Sequence, residues 1–276
     1  MIIYNLTLTI FRYSLFPFFL LYLFLFNRKR AYHLSKRMRF NYYNPLKKGI
    51  NKNILIHAVS VGETEAVKPL VEKLLLENHD ITISTVTITG KEMVRKTFGD
   101  KVSHIFFPLD FRKNCRCFLK KIRPYMIIMV ETEIWPNFLN TCKELSIPVI
   151  IINGRISPDS CKNYKRFSRI INLKECLDIY DFILMQSQED KERILEMGAK
   201  EKKTYVMGNL KFDSLVNNDF PKISQDIELD LNIPTDHKVI IAGSTHPEEE
   251  EFFFNAFLKL REDFPKMTAI LAPRHI

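Results

Sequence analysis

Metal and disulfide chemistry find little support in this sequence. Its five cysteines, Cys115, Cys117, Cys142, Cys161 and Cys176, are odd in number. No second cysteine or histidine pair supplies the other half of a zinc site for Cys115 and Cys117. They read as reduced thiols of a cytosolic domain, and no metal site is assigned. The chain also lacks a P-loop or dinucleotide fingerprint, an internal repeat and any low-complexity tract, so it is not a disordered protein. Acid is in short supply: 32 Asp and Glu against 41 Lys and Arg leave a formal charge of +9. Such an excess suits nucleic acid, a membrane surface or an anionic small substrate. Much of it lies between Arg28 and Lys48, beside an apolar start, where lipid headgroups explain it better than nucleic acid does.

Apolar residues are plentiful, 46% of 276, enough for one large domain or two ordinary ones with real cores. Ile2 to Phe26 is almost wholly apolar, with Arg12 as its one charge. Asn27-Arg28-Lys29-Arg30, then Lys36, Arg37 and Arg39, close it off. A secretory signal has its positive charges ahead of the apolar run and a small-residue cleavage site behind it, and here the order is reversed. The expectation is a retained membrane anchor over 1–30 and a basic linker over 31–52, with the following domain on the cytoplasmic side of an inner membrane. A spanning helix is expected. If Arg12 marks an interface, Ser14 to Phe26 is too short to cross unaided, and a monotopic anchor is the alternative.

The chain is organised around Asn53 to Asn78. Ile54 to Val59 reads as a buried parallel strand, Ser60-Val61-Gly62 as a tight turn, and Ala66, Val67, Leu70 and Leu74 as the apolar face of a helix. Apolar β-rich runs then alternate with amphipathic stretches as far as Thr204 to Met207, including one helix around Tyr164 to Leu177. The pattern predicts an α/β fold, a parallel sheet covered by helices on both faces, over 53–213. A polar linker is expected over 214–236. A second unit, 237–276, reads as strand Lys238 to Ala242, helix Glu248 to Phe264 and strand Met267 to Ala272. Two strands and one helix do not bury both faces of a sheet, so this unit reads as incomplete and the chain as C-terminally truncated.

In such a sheet, chemistry sits beyond the carboxyl ends of the strands. Glu63, with Ser60 and Gly62 in its loop, is a candidate general base; alternatively Glu63 and Glu65 only complement a helix dipole. Glu131 and Glu133 lie beside Trp135, the chain's only tryptophan, where Pro136 opens a helix. They suit a polar site against an apolar wall, or simply helix capping. Arg155 suits an anionic group or solvent, and Lys211 stands alone in a turn. In the second unit, Gly243, Ser244 and Thr245 precede a helix N-terminus suited to phosphate, and Arg274, after Pro273, could clamp the same anion. A structural turn is the competing reading there, and Glu248 to Glu251 would repel an anion placed far along the helix.

Together, His57 to Glu63, Glu131-Thr132-Glu133-Ile134-Trp135-Pro136-Asn137, Asn153-Gly154-Arg155-Ile156-Ser157, Gly208 to Asp213, Gly243 to His246 and Pro273-Arg274-His275 closely resemble the 3-deoxy-D-manno-octulosonic acid (Kdo) transferase family of lipopolysaccharide synthesis. The resemblance implies a GT-B pair of Rossmann-like domains, with the first complete and the second incomplete. It further implies inverting transfer of Kdo from CMP-Kdo to a lipid A precursor, with no metal or other cofactor. By that resemblance Glu63 is the general base, Glu133 and Lys211 stabilise the transition state with Glu131 beside them, and Pro273 and Arg274 bind nucleotide. Gly154 stands where Ala is usual, a mild departure. Family members also carry a Gly-rich segment and an Asn-Pro-Leu-Glu-like segment that complete the CMP pocket, and this sequence has neither. Turnover by this chain alone is therefore not expected unless a second polypeptide supplies them. A GT-B enzyme using a UDP-sugar and a catalytically inactive membrane-bound remnant are the alternatives.

Overall fold

The computed structural model describes residues 2–26, 34, 37, 52–213 and 231–274. The chain divides into two compact units, Met1–Val216 and Asn217–Ile276. Most of the basic stretch at 31–52 and most of the linker at 214–236 lie outside the described residues.

The first unit is built on a seven-stranded parallel sheet in the order β3-β2-β1-β4-β5-β6-β7. The strands are β1 Asn53–His57, β2 Asp80–Thr85, β3 Ser103–Phe106, β4 Met126–Val130, β5 Val149–Gly154, β6 Phe182–Met185 and β7 Thr204–Val206. Chain order reverses between β1 and β4, which pair from Ile54↔Met126 to His57↔Met129. That reversal opens a crevice at the carboxyl ends of these two strands, the place where open α/β sheets bind ligands.

Strand residues alternate between two cores. Leu55, Ile127, Met129 and Ile151 point to one, with Phe107, Phe118 and Phe138; Ile56, Ile128, Val130 and Ile152 point to the other, with Val67, Val71 and Val94. Continuous Ile, Val and Met runs therefore give strands buried on both faces, each large side chain contributing about 1.5–3 kcal/mol.

The helices that cover the sheet are α3 Val61–Ala66, α4 Lys68–Leu76, α5 Ile88–Phe98, α6 Arg112–Ile122, α7 Pro136–Glu144, α8 Pro158–Arg166, α9 Ser168–Ile171, α10 Leu173–Ile179 and α11 Gln188–Glu196. Pro69, in the first turn of α4, separates it from α3, and Thr87, Ser157 and Ser187 cap α5, α8 and α11. The single helix expected around Tyr164 to Leu177 is instead three, α8 to α10. Asn172 adopts a left-handed conformation (φ 51°) between α9 and α10 and breaks the path.

The apolar start forms α1 Ile2–Tyr13 and α2 Leu15–Phe26, bent by 45° at the break; no single described helix is long and apolar enough to cross a membrane. Arg37, expected to face headgroups, is 6% exposed, and its Nε–H donates to the Phe107 carbonyl at 2.7 Å. Its side chain thus bonds to the backbone just beyond β3 rather than projecting into solvent.

The second unit holds β8 Lys238–Thr245, α12 Pro247–Asp263 and β9 Met267–Pro273, with β8 and β9 parallel. Ile241 and Phe252 are mostly exposed. One helix on two strands leaves such faces uncovered.

Candidate active site

At the end of β1 the backbone turns sharply into α3, and Ser60 and Glu63 form a reciprocal capping box. The Ser60 hydroxyl accepts the Glu63 N–H at 3.2 Å. The Glu63 carboxylate accepts the Val59 N–H at 2.7 Å through Oε2 and the Ser60 N–H at 3.2 Å through Oε1. Capping is therefore realised in full, since the Ser60 and Glu63 N–H groups that the helix start leaves orphaned are both satisfied, and the Val59 N–H just before the cap is bonded as well. It also fixes the carboxylate at the carboxyl edge of β1 with further lone pairs on each oxygen. Glu63 is 7% exposed, and burial raises its pKa, opposed by the bonds from Val59 and Ser60 and reinforced by the charge of Glu131.

Across the strand reversal, Glu131 follows β4 with a left-handed backbone (φ 59°), its N–H donating to the Ile152 carbonyl at 3.0 Å. This conformation is costly for a residue with a Cβ and re-aims the chain beyond the strand end. Glu133 follows. Its carboxylate accepts the Trp135 indole N–H at 2.8 Å and its carbonyl accepts the Tyr180 hydroxyl at 2.7 Å. The Trp135 ring lies against Phe107, with centroids 5.6 Å apart, and forms the apolar wall. Burial pushes the Glu133 pKa up to about 7; the Trp135 N–H opposes the shift, and the charges of Glu63 and Glu131 add to it. Three carboxylates from two adjacent strand ends thus lie together, and burial with neighbouring negative charge raises the pKa of Glu63 and Glu133.

Asn153, fully buried at the end of β5, also has a left-handed backbone (φ 53°). Its Oδ1 accepts the Leu210 N–H at 3.1 Å, which ties the short 3₁₀ turn Leu210–Phe212 to the sheet. That turn packs against α3 and carries Lys211, which is exposed. Lys211 is thereby brought to the same edge as Glu63, although the two are far apart in sequence. Gly154 is needed by its surroundings, since a Cβ there would lie 2.5 Å from Met185 Sδ and 3.2 Å from the Leu184 carbonyl oxygen. Arg155 is exposed at the same strand end, with no hydrogen bond or ion pair among the described residues.

Residues 33–214 match the family model described as 3-Deoxy-D-manno-octulosonic-acid transferase (kdotransferase). The chain belongs to the Kdo transferase family. Among curated relatives, the 3-deoxy-D-manno-octulosonic acid transferase of Haemophilus influenzae is 31% identical over 239 residues, covering 86% of this chain and 55% of that protein. The bifunctional glycosyltransferase/methyltransferase of Fusobacterium nucleatum is 35% identical over 266 residues, covering 89% of this chain and 40% of that protein. The chain spans about half the length of the curated relatives it matches. Among solved structures, UDP-GlcNAc 2-epimerase from Neisseria meningitidis superposes with a TM-score of 0.57 at 14% identity, covering 79% of this chain and 64% of that one. A glycosyltransferase from Rickettsia africae gives 0.52 at 15%, covering 81% and 69%. These similarities show the α/β fold of GT-B proteins.

In this Kdo transferase family chain, the remaining candidates lie in the second unit. Gly243, Ser244 and Thr245 end β8, Ser244 with a left-handed backbone (φ 60°), and the Arg274 N–H after Pro273 donates to the Thr245 carbonyl at 3.0 Å. The two strand ends are therefore adjacent. Acidic groups occupy part of the helix start: Glu249 accepts the His246 N–H at 2.9 Å, and Glu250 accepts the Thr245 hydroxyl at 3.2 Å. Among the described residues no cluster of His, Cys, Asp or Glu is arranged to hold a metal ion.

Asp110 carries no mark in the sequence, and Asn153 stands there only as part of its motif. Asp110 is 7% exposed and caps α7, accepting the Asn137 N–H at 3.0 Å and the Phe138 N–H at 2.8 Å. It thereby fixes the helix that follows Trp135. Burial pushes its pKa up to about 6, against these N–H bonds and one from the Tyr4 hydroxyl.

Proposed function

We propose that the chain supplies the acceptor-side half of an inverting transferase that moves Kdo from CMP-Kdo to a hydroxyl of a lipid A precursor. The observation that carries this reading is the gathering of Glu63, Glu131, Glu133 and the Lys211 turn at the carboxyl edge of the first sheet, within a chain of the Kdo transferase family. In the proposed reaction the lipid hydroxyl oxygen bonds to the anomeric carbon of Kdo. The bond to the CMP phosphate breaks, and CMP leaves with the electron pair. Glu63 takes the hydroxyl proton; burial makes its carboxylate a better base, while the Val59 and Ser60 N–H groups hold it aimed. Glu133, ionised, favours the oxocarbenium-like centre, and Glu131 adds to that negative field. Lys211 offsets charge on the leaving phosphate or the sugar carboxylate, and Arg155, with Ser60 and Gly62 shaping the loop, serves substrate binding.

The second unit is proposed to begin the nucleotide site, with Gly243, Ser244, Thr245, Pro273 and Arg274 at two adjacent strand ends. Because the relatives are about twice as long as the matched portion, we propose that turnover needs the C-terminal segment they carry, supplied on the same or a complementing polypeptide. We further propose attachment to the cytoplasmic face of the inner membrane, since residues 2–26 are apolar and a basic run follows them. Tethering would hold the site beside a glycolipid that rarely leaves the bilayer.

The test is a donor panel in membranes holding the chain and the C-terminal segment, with a lipid A precursor as acceptor. Product is expected with CMP-Kdo and none with UDP-sugars. Transfer from a UDP-sugar, or no transfer from any donor, would overturn the assignment.

A further inference from the structure

The apolar start is attached to the first unit in a way that bears on its path through the membrane. Along α1 the covered positions are Tyr4, Asn5, Leu8 and Arg12, continued by Phe16 just beyond the break; apart from Asn5 they recur every four residues, one face of a helix. The Tyr4 hydroxyl donates to the buried Asp110 carboxylate at 2.7 Å. The Arg12 guanidinium lies 5.0 Å from the Phe111 ring centroid, and α1 packs on α9. Both ends of α1 are thus fastened to the domain, one at the cap of α7 and the other beside the start of α6.

The opposite face of α1 carries Ile2, Ile3, Leu6 and Ile10, each at least 58% exposed. Its hydroxyls do not need water, because Thr7 donates to the Ile3 carbonyl, Thr9 to Asn5 and Ser14 to Ile10, at 2.7–2.9 Å. Beyond the 45° bend, α2 is apolar all round. Each helix has 12 residues, about 18 Å, well short of a hydrocarbon core of about 30 Å.

We infer that α1 and α2 form a non-spanning anchor, with α1 lying in the interface as a splint between the domain and the bilayer and its N-terminus on the same side as the active site. This rests on the proposed membrane attachment and goes beyond it, since a helix held to the domain at Tyr4 and Arg12 does not cross to the other leaflet. The partner surface is an anionic bilayer: the exposed face of α1 and the exposed residues of α2 beyond Phe16 meet acyl chains, and the Arg28-Lys29-Arg30 run that follows α2 in sequence meets headgroups.

The full chain with a polar Gly-Ser-Cys tag ahead of Met1, in a Cys117→Ser background, reconstituted in vesicles of phosphatidylethanolamine and phosphatidylglycerol with the domain outward, tests this. A membrane-impermeant maleimide added outside is expected to label the tag cysteine equally before and after detergent lysis. Labelling only after lysis would mean a spanning helix and overturn the inference, while leaving membrane attachment intact. Chain that self-associates and fails to float with vesicles would overturn both.

Discussion

The Trp135 indole N–H donates to Glu133 Oε2 across 2.8 Å, two residues along the chain. It is the named bond that most directly favours the ionised form of a carboxylate held near pKa 7 by burial. Removing this donor disfavours the charged form, so the pKa rises. If ionised Glu133 supports transfer, activity climbs with pH through about 7 in the parent chain. In Trp135→Phe the climb moves to higher pH while the high-pH plateau is less affected. A pH profile of single-turnover transfer checks this; an unmoved midpoint would remove Glu133 from the titration.

Glu133 also lowers the stability of the fold when charged. Its folded pKa of about 7 lies above the ordinary 4.5, so the folded state holds the extra proton between these values. The destabilisation is absent below the unfolded pKa and complete above the folded one. Glu133→Gln is therefore expected to stabilise the protein at pH 8 by on the order of 1–3 kcal/mol while reducing transfer, with no gain at pH 4. Urea unfolding at the two pH values measures it.

Gly154 and Met185 are matched in size. A methyl at position 154 meets Met185 Sδ at 2.5 Å, so Gly154→Ala is expected to destabilise by about 1–3 kcal/mol, as overpacked cores do. Met185→Ala in the same chain should return part of that loss, and a double-mutant cycle in urea reads the coupling. Met185 is fully buried, which limits how far its side chain can give way.

The strands were legible because Ile, Val and Met runs such as Met126–Val130 are buried on both faces and need no partner to be recognised. The helix between Tyr164 and Leu177 was misjudged because Asn172 turns left-handed where apolar spacing alone continues. Glu63 was legible as the acid of the first loop, and its Ser60-x-x-Glu63 spacing is itself a capping-box signature. Asp110 left no local trace: its partners, Tyr4, Asn137 and Phe138, reach it only through tertiary packing. The same holds for Arg37, whose charge pointed to lipid while its Nε–H bonds the carbonyl of Phe107. Asn153 was visible in a motif, but its hold on the Lys211 turn spans 57 positions of chain.

Glu63 has two jobs that a single substitution can separate. Glutamine also serves at the third position of a capping box, so Glu63→Gln keeps one N–H bond and most of the loop while losing the proton acceptor; Glu63→Ala loses both. The decisive measurement is the rate of Kdo transfer to a lipid A precursor by Glu63→Gln, in membranes with the C-terminal segment supplied and with folding checked by urea unfolding. A folded variant slowed roughly 10²–10⁴-fold is the expected result. A folded variant transferring Kdo at the parent rate would show that this carboxylate only caps its helix.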